Sequence, residues 1–348
     1  MIKKCCISTL LSVGIWFFAN PLFAQLNIPD SSGFAGYATV LPGYIVGTTS
    51  QFAEGAPALG EISDQKVNSI FERPGQKSTG MLGAGGEINY TFGKSRTQLF
   101  LGNRFEDLLR LDVVFGVGIR QELKDSSIIA LSLLYTPTRL KVWSDPYIEN
   151  QERRRTALAF PGMRFRWGRM FGSELEITAT ARFYRLDDEN SGDWLVTQNR
   201  LDVDELGKLD RNGIGYRLQA LYLFSFGKHN FLPAFRYRID NHDGKAIANQ
   251  GYLTKFTYLY RTKRIILDIN AGYGQVWAQE ENPIYQSTLE SNRYVFGLTA
   301  IAPVKLFKSS VLSLMFYSEY YSENANIDFY DSSFGVVSLG VIWKTLRI

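Results

Sequence analysis

Apolar and polar side chains alternate along most of this chain, in segments of about ten residues. In residues 111–122 the apolar side chains Leu111, Val113, Phe115, Val117 and Ile119 share one parity, and small or charged residues occupy the other. Residues 174–184, 214–226 and 251–261 repeat the pattern. A period of two predicts strands with one apolar face.

The same rule predicts 14 strands over the whole chain. Their ranges are 34–47, 81–92, 96–103, 110–122, 127–142, 156–169, 174–186, 213–226, 230–239, 251–262, 264–278, 291–305, 311–322 and 333–344. An even number is typical of bacterial barrels. A barrel of about 12 strands is the alternative, because Pro42 interrupts the first strand and the third is short.

The connections between these strands alternate in length. Short links such as 93–95 and 124–126 alternate with long ones such as 143–155 and 187–212. Tight periplasmic turns and longer external loops are expected of an antiparallel up-and-down β-barrel in the outer membrane, with both termini in the periplasm. A soluble β-sandwich shares the side-chain alternation, but its Greek-key links have no reason to keep this order.

The first 24 residues predict export. Lys3 and Lys4 precede an apolar run from Cys5 to Phe18, and Ala24 ends a small-residue cleavage site before Gln25. No later stretch holds the roughly 18 apolar residues of a spanning helix. We therefore expect a signal peptide over residues 1–24 and one outer-membrane barrel over residues 25–348.

Composition agrees with this division. Aromatic residues make up 14% of the chain, yet charged residues reach 21% and the mean hydropathy is −0.12. A barrel accommodates both by directing apolar side chains to lipid and charged ones to water. Both cysteines, Cys5 and Cys6, lie in the predicted signal, which excludes disulfides and cysteine-bound metals in the exported part. The nearly balanced charge gives no reason to expect nucleic acid.

Three segments carry a family resemblance: residues 95–110, 27–34 and 326–331. They resemble a family of uncharacterised outer-membrane proteins of Gram-negative bacteria, the DUF2860 family. The resemblance implies an outer-membrane location and no particular activity. The expected partners of such a barrel are outer-membrane lipid, lipopolysaccharide, the barrel-assembly machinery, periplasmic chaperones and small solutes.

If the polar parity faces inward, the lumen is charged. The candidate lumen-lining residues are Arg120, Arg164, Arg166, Arg182, Arg217, Arg236, Arg238, Lys255, Arg261, Glu87, Asp112, Glu122, Asp268 and Glu319. Most cations fall on the sixth to tenth strands and several acids on other walls, which would set up a transverse field in a pore. The alternative is a lattice of ion pairs that only satisfies charges inside a narrow barrel.

Strand geometry bounds the lumen. Fourteen strands ~4.8 Å apart and tilted by ~40° give a backbone diameter of roughly 28 Å, which leaves roughly 10 Å after side chains unless loops fold inward. The loop at 48–80 is the candidate to fold inward. We expect the acidic segment 187–210 to be a solvated loop, and residues 153–155, all arginine, to lie at the outer rim or in an exposed loop.

Catalytic and metal-binding chemistry has little support. His229 and His242 are far apart in sequence, and both are expected in turns. We therefore predict no enzymatic activity, no metal and no cofactor. The sequence favours a passive, porin-like channel for small polar solutes, with an arginine-rich lumen wall. A hydrophobic-ligand transporter and a non-conducting structural or surface-interaction barrel are the alternatives.

Overall fold

A computed structural model describes residues 28–54, 60–103, 114–137, 139–306 and 310–345 of the chain. The predicted signal peptide and Asp112 lie outside the described residues.

Fourteen strands form one closed antiparallel barrel, in which each strand pairs with its neighbours and the last pairs with the first. They are β1 (Gly33–Thr48), β3 (Gln76–Phe92), β4 (Thr97–Gly102), β5 (Phe115–Glu122), β6 (Ile128–Tyr135), β9 (Gly162–Gly168), β10 (Leu175–Leu186), β11 (Gly213–Tyr222) continued by β12 (Phe224–Phe226), β13 (His229–His242), β14 (Asn249–Arg261), β15 (Ile266–Asn282), β16 (Ser287–Leu306), β17 (Ser310–Ala325) and β18 (Ser332–Thr345). The predicted count of 14 is confirmed.

Alternation along each strand separates the two faces of the barrel. On β18, Leu339 is 67% exposed and Trp343 is 54% exposed on the outside, whereas Ser338 and Ile342 are buried inside. Large apolar side chains are exposed in the same way around the barrel, for example Leu133 on β6 and Phe256 on β14. Such a surface is stable only against lipid, and each of the 14 barrel strands pairs with a neighbour on both sides. The predicted outer-membrane β-barrel is confirmed, together with its location.

Three further strands lie beyond the barrel wall. β2 (Phe52–Glu54), β7 (Leu140–Trp143) and β8 (Arg155–Ala159) form a small sheet that also pairs with the end of β10. The predicted strands 127–142 and 156–169 each divide into a barrel strand and one of these short strands. Pro137 and Pro161 lie at the two breaks, where proline supplies no amide hydrogen to a ladder.

The long connections fold together into what we call the dome: residues 49–54, 60–75, 139–161, 187–212, 243–248, 283–286 and 326–331. Its described residues contain one short α-helix, α1 (Asp193–Thr197), and two 3₁₀ helices, Val203–Leu209 and Asp328–Tyr330. In the described part of the chain, no helix has both the length and the apolar character needed to cross a membrane. Because long connections are extracellular in such barrels, the dome covers the outer mouth.

Candidate functional site: an arginine-lined cavity in the lumen

A cavity of about 560 Å³ lies inside the barrel, between the wall and the dome. Its lining comes mainly from β10, β13 and the dome, with further residues from β9, β11 and β14 to β18. Seven arginines line it: Arg164, Arg182, Arg211, Arg217, Arg236, Arg238 and Arg293. The described cavity wall is thus strongly basic.

Strand register explains why the arginines meet. Arg217 on β11 lies directly opposite Thr180 of β10 and Arg238 of β13, while Thr180 lies opposite Arg164 of β9. Two residues along the same pair of strands, Arg236 of β13 donates from Nε and Nη2 to Gln219 Oε1 of β11, at 3.1 and 2.8 Å. All these positions share the inward parity, so adjacent strands project their charges into one space.

Two carboxylates, Asp240 and Glu323, face the same cavity. Arg238 pairs with Asp240 at 3.3 Å and Arg293 pairs with Glu323 at 2.8 Å. The described lining carries seven arginines and two carboxylates, and Arg211 is also paired at 2.9 Å with Glu189, which lies outside the lining. Arg217 and Arg238 lie opposite each other on paired strands, and the Asp240 carboxylate near both of them reduces the repulsion between the two guanidinium groups.

The cavity roof is mainly apolar, although Thr49, Gln51 and Arg211 of the dome also line the cavity. Leu140, Leu158 and Leu186 lie side by side in register across β7, β8 and β10, and all three line the cavity. Phe160 and Phe52 extend this surface, and the Arg182 guanidinium lies 5.5 Å from the centre of the Phe160 ring. The site therefore has a cationic wall and an apolar roof.

The dome above the cavity has its own hydrophobic core. Ile70, Tyr147, Leu195, Leu209 and Phe329 come from four different loops, and each is at most 1% exposed. The acidic segment 187–210, which the sequence predicts to be solvated, supplies the two leucines. That prediction was wrong for Leu195, Leu201 and Leu209, which are buried, whereas Val203 and most of the segment's carboxylates remain at the surface.

Polar contacts also join the loops of the dome. Asp145 accepts hydrogen bonds from the backbone amides of Tyr147, Gly192 and Trp194 at 2.9, 3.1 and 3.0 Å, which ties α1 to the 139–161 loop. Arg153 is only 1% exposed and donates to the carbonyl groups of Ser50, Pro146 and Asp64.

The expectation that residues 153–155 lie at the rim or in an exposed loop was therefore wrong for Arg153. The next two arginines do face outward and form ion pairs. Arg154 pairs with Asp188, and Arg155 pairs with Glu54 and Glu61.

Three tyrosine hydroxyl groups complete the core of the dome. The hydroxyl groups of Tyr147 and Tyr330 are 2.7 Å apart, and Tyr285 donates to the Ile70 carbonyl oxygen at 3.1 Å. Burial raises the pKa of Tyr147 and of Tyr285, and it raises the pKa of Tyr330 to about 12. The dome therefore favours the neutral phenols.

A second part of the lumen, nearer the periplasmic ends of β13 to β18 than the cavity, is apolar. Leu259, Ile301 and Met315 are 1 to 2% exposed and belong to a buried cluster on the inner face of β1 and of the strands from β13 to β18. Phe52 and Ile62 of the loop at 48–80 pack against it, so this loop does fold inward. These side chains occupy space that the sequence assigns to a lumen roughly 10 Å wide.

The predicted lumen residues fall into three groups. Arg164, Arg182, Arg217, Arg236 and Arg238 line the cavity. Arg120 and Glu87 form a buried ion pair at 2.5 Å on the β3–β5 wall, and Arg166 pairs with Glu176 at 2.6 Å. The remaining described ones, namely Glu122, Lys255, Arg261, Asp268 and Glu319, share the inward parity of their strands but lie outside the cavity.

Several cavity residues were missed in the sequence. Arg293 has the inward parity of β16 and falls in the predicted strand 291–305, so a complete parity count would have found it. Asp240 and Glu323 each lie one residue beyond the predicted strands 230–239 and 311–322, because β13 and β17 extend further than the sequence predicts. Arg211 comes from a loop, where parity gives no signal. His242, which the sequence places in a turn, ends β13 and stacks on Tyr184 with ring centres 5.1 Å apart.

Among the described residues, no group of three or more His, Cys, Asp or Glu side chains could hold a metal ion. The polar groups of the cavity are guanidinium groups, two paired carboxylates, the His242 imidazole, hydroxyls and amides. Such an arrangement can bind and orient an anion.

Comparisons with solved structures return outer-membrane barrels of very low identity. A FadL homologue of Pseudomonas aeruginosa is 9% identical over 90% of this chain and 89% of its own, with a TM-score of 0.41. An anion-selective porin from Comamonas acidovorans is 9% identical over 90% of this chain and 100% of its own, with a TM-score of 0.38. No curated protein sequence matches the chain. A protein family described as "Protein of unknown function (DUF2860)" matches residues 38–344. The chain belongs to this family of proteins.

Proposed function

We propose that this outer-membrane barrel is a passive, selective channel for small anionic solutes. The observation that supports this most is the convergence of seven arginines on one cavity in the lumen. A basic constriction attracts anions and repels cations, because nearby low-dielectric walls concentrate the field.

The dome adds a condition to this proposal. Its buried core lies across the outer mouth, and apolar side chains occupy part of the lumen. Solutes would therefore pass through the cavity only when the dome moves, which distinguishes this channel from a wide, permanently open pore.

Reversal potentials in planar bilayers test the proposal. With a tenfold KCl gradient, we expect small currents whose reversal potential has the sign set by chloride. The double substitution Arg217→Gln and Arg236→Gln should move this potential toward zero, because it removes two cavity charges. Arg264→Gln is the matched control, since Arg264 is exposed in the turn between β14 and β15.

Folded protein is identified by its altered mobility on unheated gels before insertion. Two results would reject the channel. One is a cation-selective current in the wild type. The other is the absence of current from folded, inserted barrels, both wild type and with the dome loosened by Arg153→Ala. The latter result would favour a non-conducting barrel.

A further inference from the structure

We propose that the cavity binds an organic anion with an apolar body about the size of one or two aromatic rings. This inference deepens the proposed channel function by naming the class of solute, and it rests on that function only for the step of transport. Binding itself follows from the shape and chemistry of the cavity.

The anionic end of the ligand is assigned to the β10–β13 wall. Arg217 and Arg238 lie opposite each other in register, and Arg236 follows on the same face of β13. A guanidinium group offers two parallel N–H donors that match a carboxylate or sulfonate, which a lysine ammonium does not. Several such groups around one space would hold a fixed anion more tightly than a passing hydrated ion.

The apolar end is assigned to the roof. Leu140, Leu158 and Leu186 are only half-buried, and all three line the cavity. An inorganic anion gains nothing from three leucines and the Phe160 ring, whereas burying apolar ligand surface against them is favourable.

Cavity size favours the same class of ligand. A space of about 560 Å³ lies within the range of small-molecule sites, roughly 300–1,000 Å³. Chloride or phosphate would occupy a small part of it.

The two carboxylates argue against cationic and zwitterionic ligands. Glu323 accepts from Ser291, Arg293 and Tyr321 at 2.6, 2.8 and 2.6 Å. Asp240 accepts from Tyr184 at 2.8 Å and pairs with Arg238. An ammonium group entering the cavity would have to compete with these contacts.

Binding to protein in lipid nanodiscs tests the inference. The probes are 2-naphthoate, 2-naphthalenemethanol, which lacks the charge, and sulfate, which lacks the apolar body. We expect saturable naphthoate binding that is at least roughly tenfold tighter than binding of either control. Leu158→Asn should weaken naphthoate binding about tenfold, as should the double Gln substitution of Arg217 and Arg236.

Val203→Asn is the control for the leucine change, since Val203 is exposed on the dome, and Arg264→Gln is the control for the arginine changes. Naphthalenemethanol or sulfate binding as tightly as naphthoate would overturn the inference, as would naphthoate binding that none of the cavity substitutions changes. Anion-selective current without naphthoate binding would reject this inference alone. Naphthoate binding without current would reject only the channel.

Discussion

The substitution Arg153→Ala should open the dome while leaving the barrel folded. Arg153 is almost fully buried and joins two loops: it donates to Ser50 O at 2.9 Å, to Pro146 O at 3.1 Å and to Asp64 O. Its guanidinium also lies 4.4 Å from the centre of the Trp143 ring. Alanine would leave three buried carbonyl groups without this donor.

The magnitude follows from these contacts. Hydrogen bonds from a charged donor contribute about 1.5–3 kcal/mol each, although they do not add fully. The cation–π contact adds about 1–2 kcal/mol. Against this, burial lowers the pKa of Arg153 to about 10, so the charge has a desolvation cost that alanine removes. The net loss of dome stability is on the order of 3 kcal/mol, which is roughly a hundredfold increase in opening.

Hydrogen exchange measured by mass spectrometry in nanodiscs provides the assay. The amides of Ile62 and Asn150 bond to Ala53 O and Val67 O at 3.0 and 2.7 Å within the dome, and their exchange should become roughly a hundredfold faster. Barrel amides should be unaffected. Arg154→Ala is the matched control, because Arg154 is 70% exposed and its surface pair with Asp188 contributes at most about 1 kcal/mol.

Unchanged exchange in both loops of the Arg153→Ala protein would refute this reasoning. Equal acceleration in the Arg153→Ala and Arg154→Ala proteins would also refute it, because burial would then not be what matters.

Two further predictions concern the dome at high pH and the barrel wall. Because the pKa values of Tyr147, Tyr285 and Tyr330 are raised, the folded dome keeps phenol protons that the unfolded loops lose near pH 10. The stability that these protons contribute is complete below pH 10 and falls as the pH rises to about 12. Proteolysis of the loops should therefore accelerate between pH 10 and pH 12, while the circular dichroism signal of the barrel persists. Equal protease resistance at pH 8 and pH 11 would contradict this. On the β3–β5 wall, Arg120→Met should lower the free energy of unfolding in urea by about 3 kcal/mol, because it leaves the buried Glu87 carboxylate without its ion-pair partner. Adding Glu87→Gln should restore much of this lost stability. A double variant less stable than Arg120→Met would argue against that explanation.

The barrel could be predicted from sequence because its two faces meet different solvents. On β18, Leu339 and Val337 face lipid and Ser338 faces the interior, so the period of two in the sequence indicates directly which side chains point outward. The predicted strand ends differ from the observed ones where the chain passes from the barrel into the dome, at Pro137 and Pro161.

The dome could not be predicted in the same way. Leu195 and Leu209 are buried only because loops from distant parts of the chain cover them, and no local pattern encodes those contacts. The same reason applies to Arg153, whose partners Ser50 and Asp64 lie about a hundred residues earlier in the chain. The acidic composition of residues 187–210 predicts a solvated segment, but packing against distant loops buries its leucines.

The candidate site was partly predictable. Parity placed Arg217 and Arg236 on the inner face, and register brings them together. Parity also predicts a polar lumen throughout, yet Leu259 and Ile301 occupy inward positions and are buried in the same apolar cluster. Inward positions need polar residues only where water is present, and the sequence does not reveal where that is.

Charge-selective cysteine modification in the cavity tests the central claim most directly. The chain from Gln25 onward has no cysteine, so Thr180→Cys introduces a single thiol opposite Arg164 and Arg217. A sulfonate-bearing methanethiosulfonate reagent should react there roughly tenfold or more faster than its trimethylammonium counterpart, and Arg217→Gln should reduce that ratio. Val203→Cys, which lies between Asp202 and Asp204 on the dome, should show the opposite preference. Faster reaction of the cationic reagent at Thr180→Cys, or no reaction at that thiol even with Arg153→Ala present, would contradict an anion-attracting cavity in the lumen.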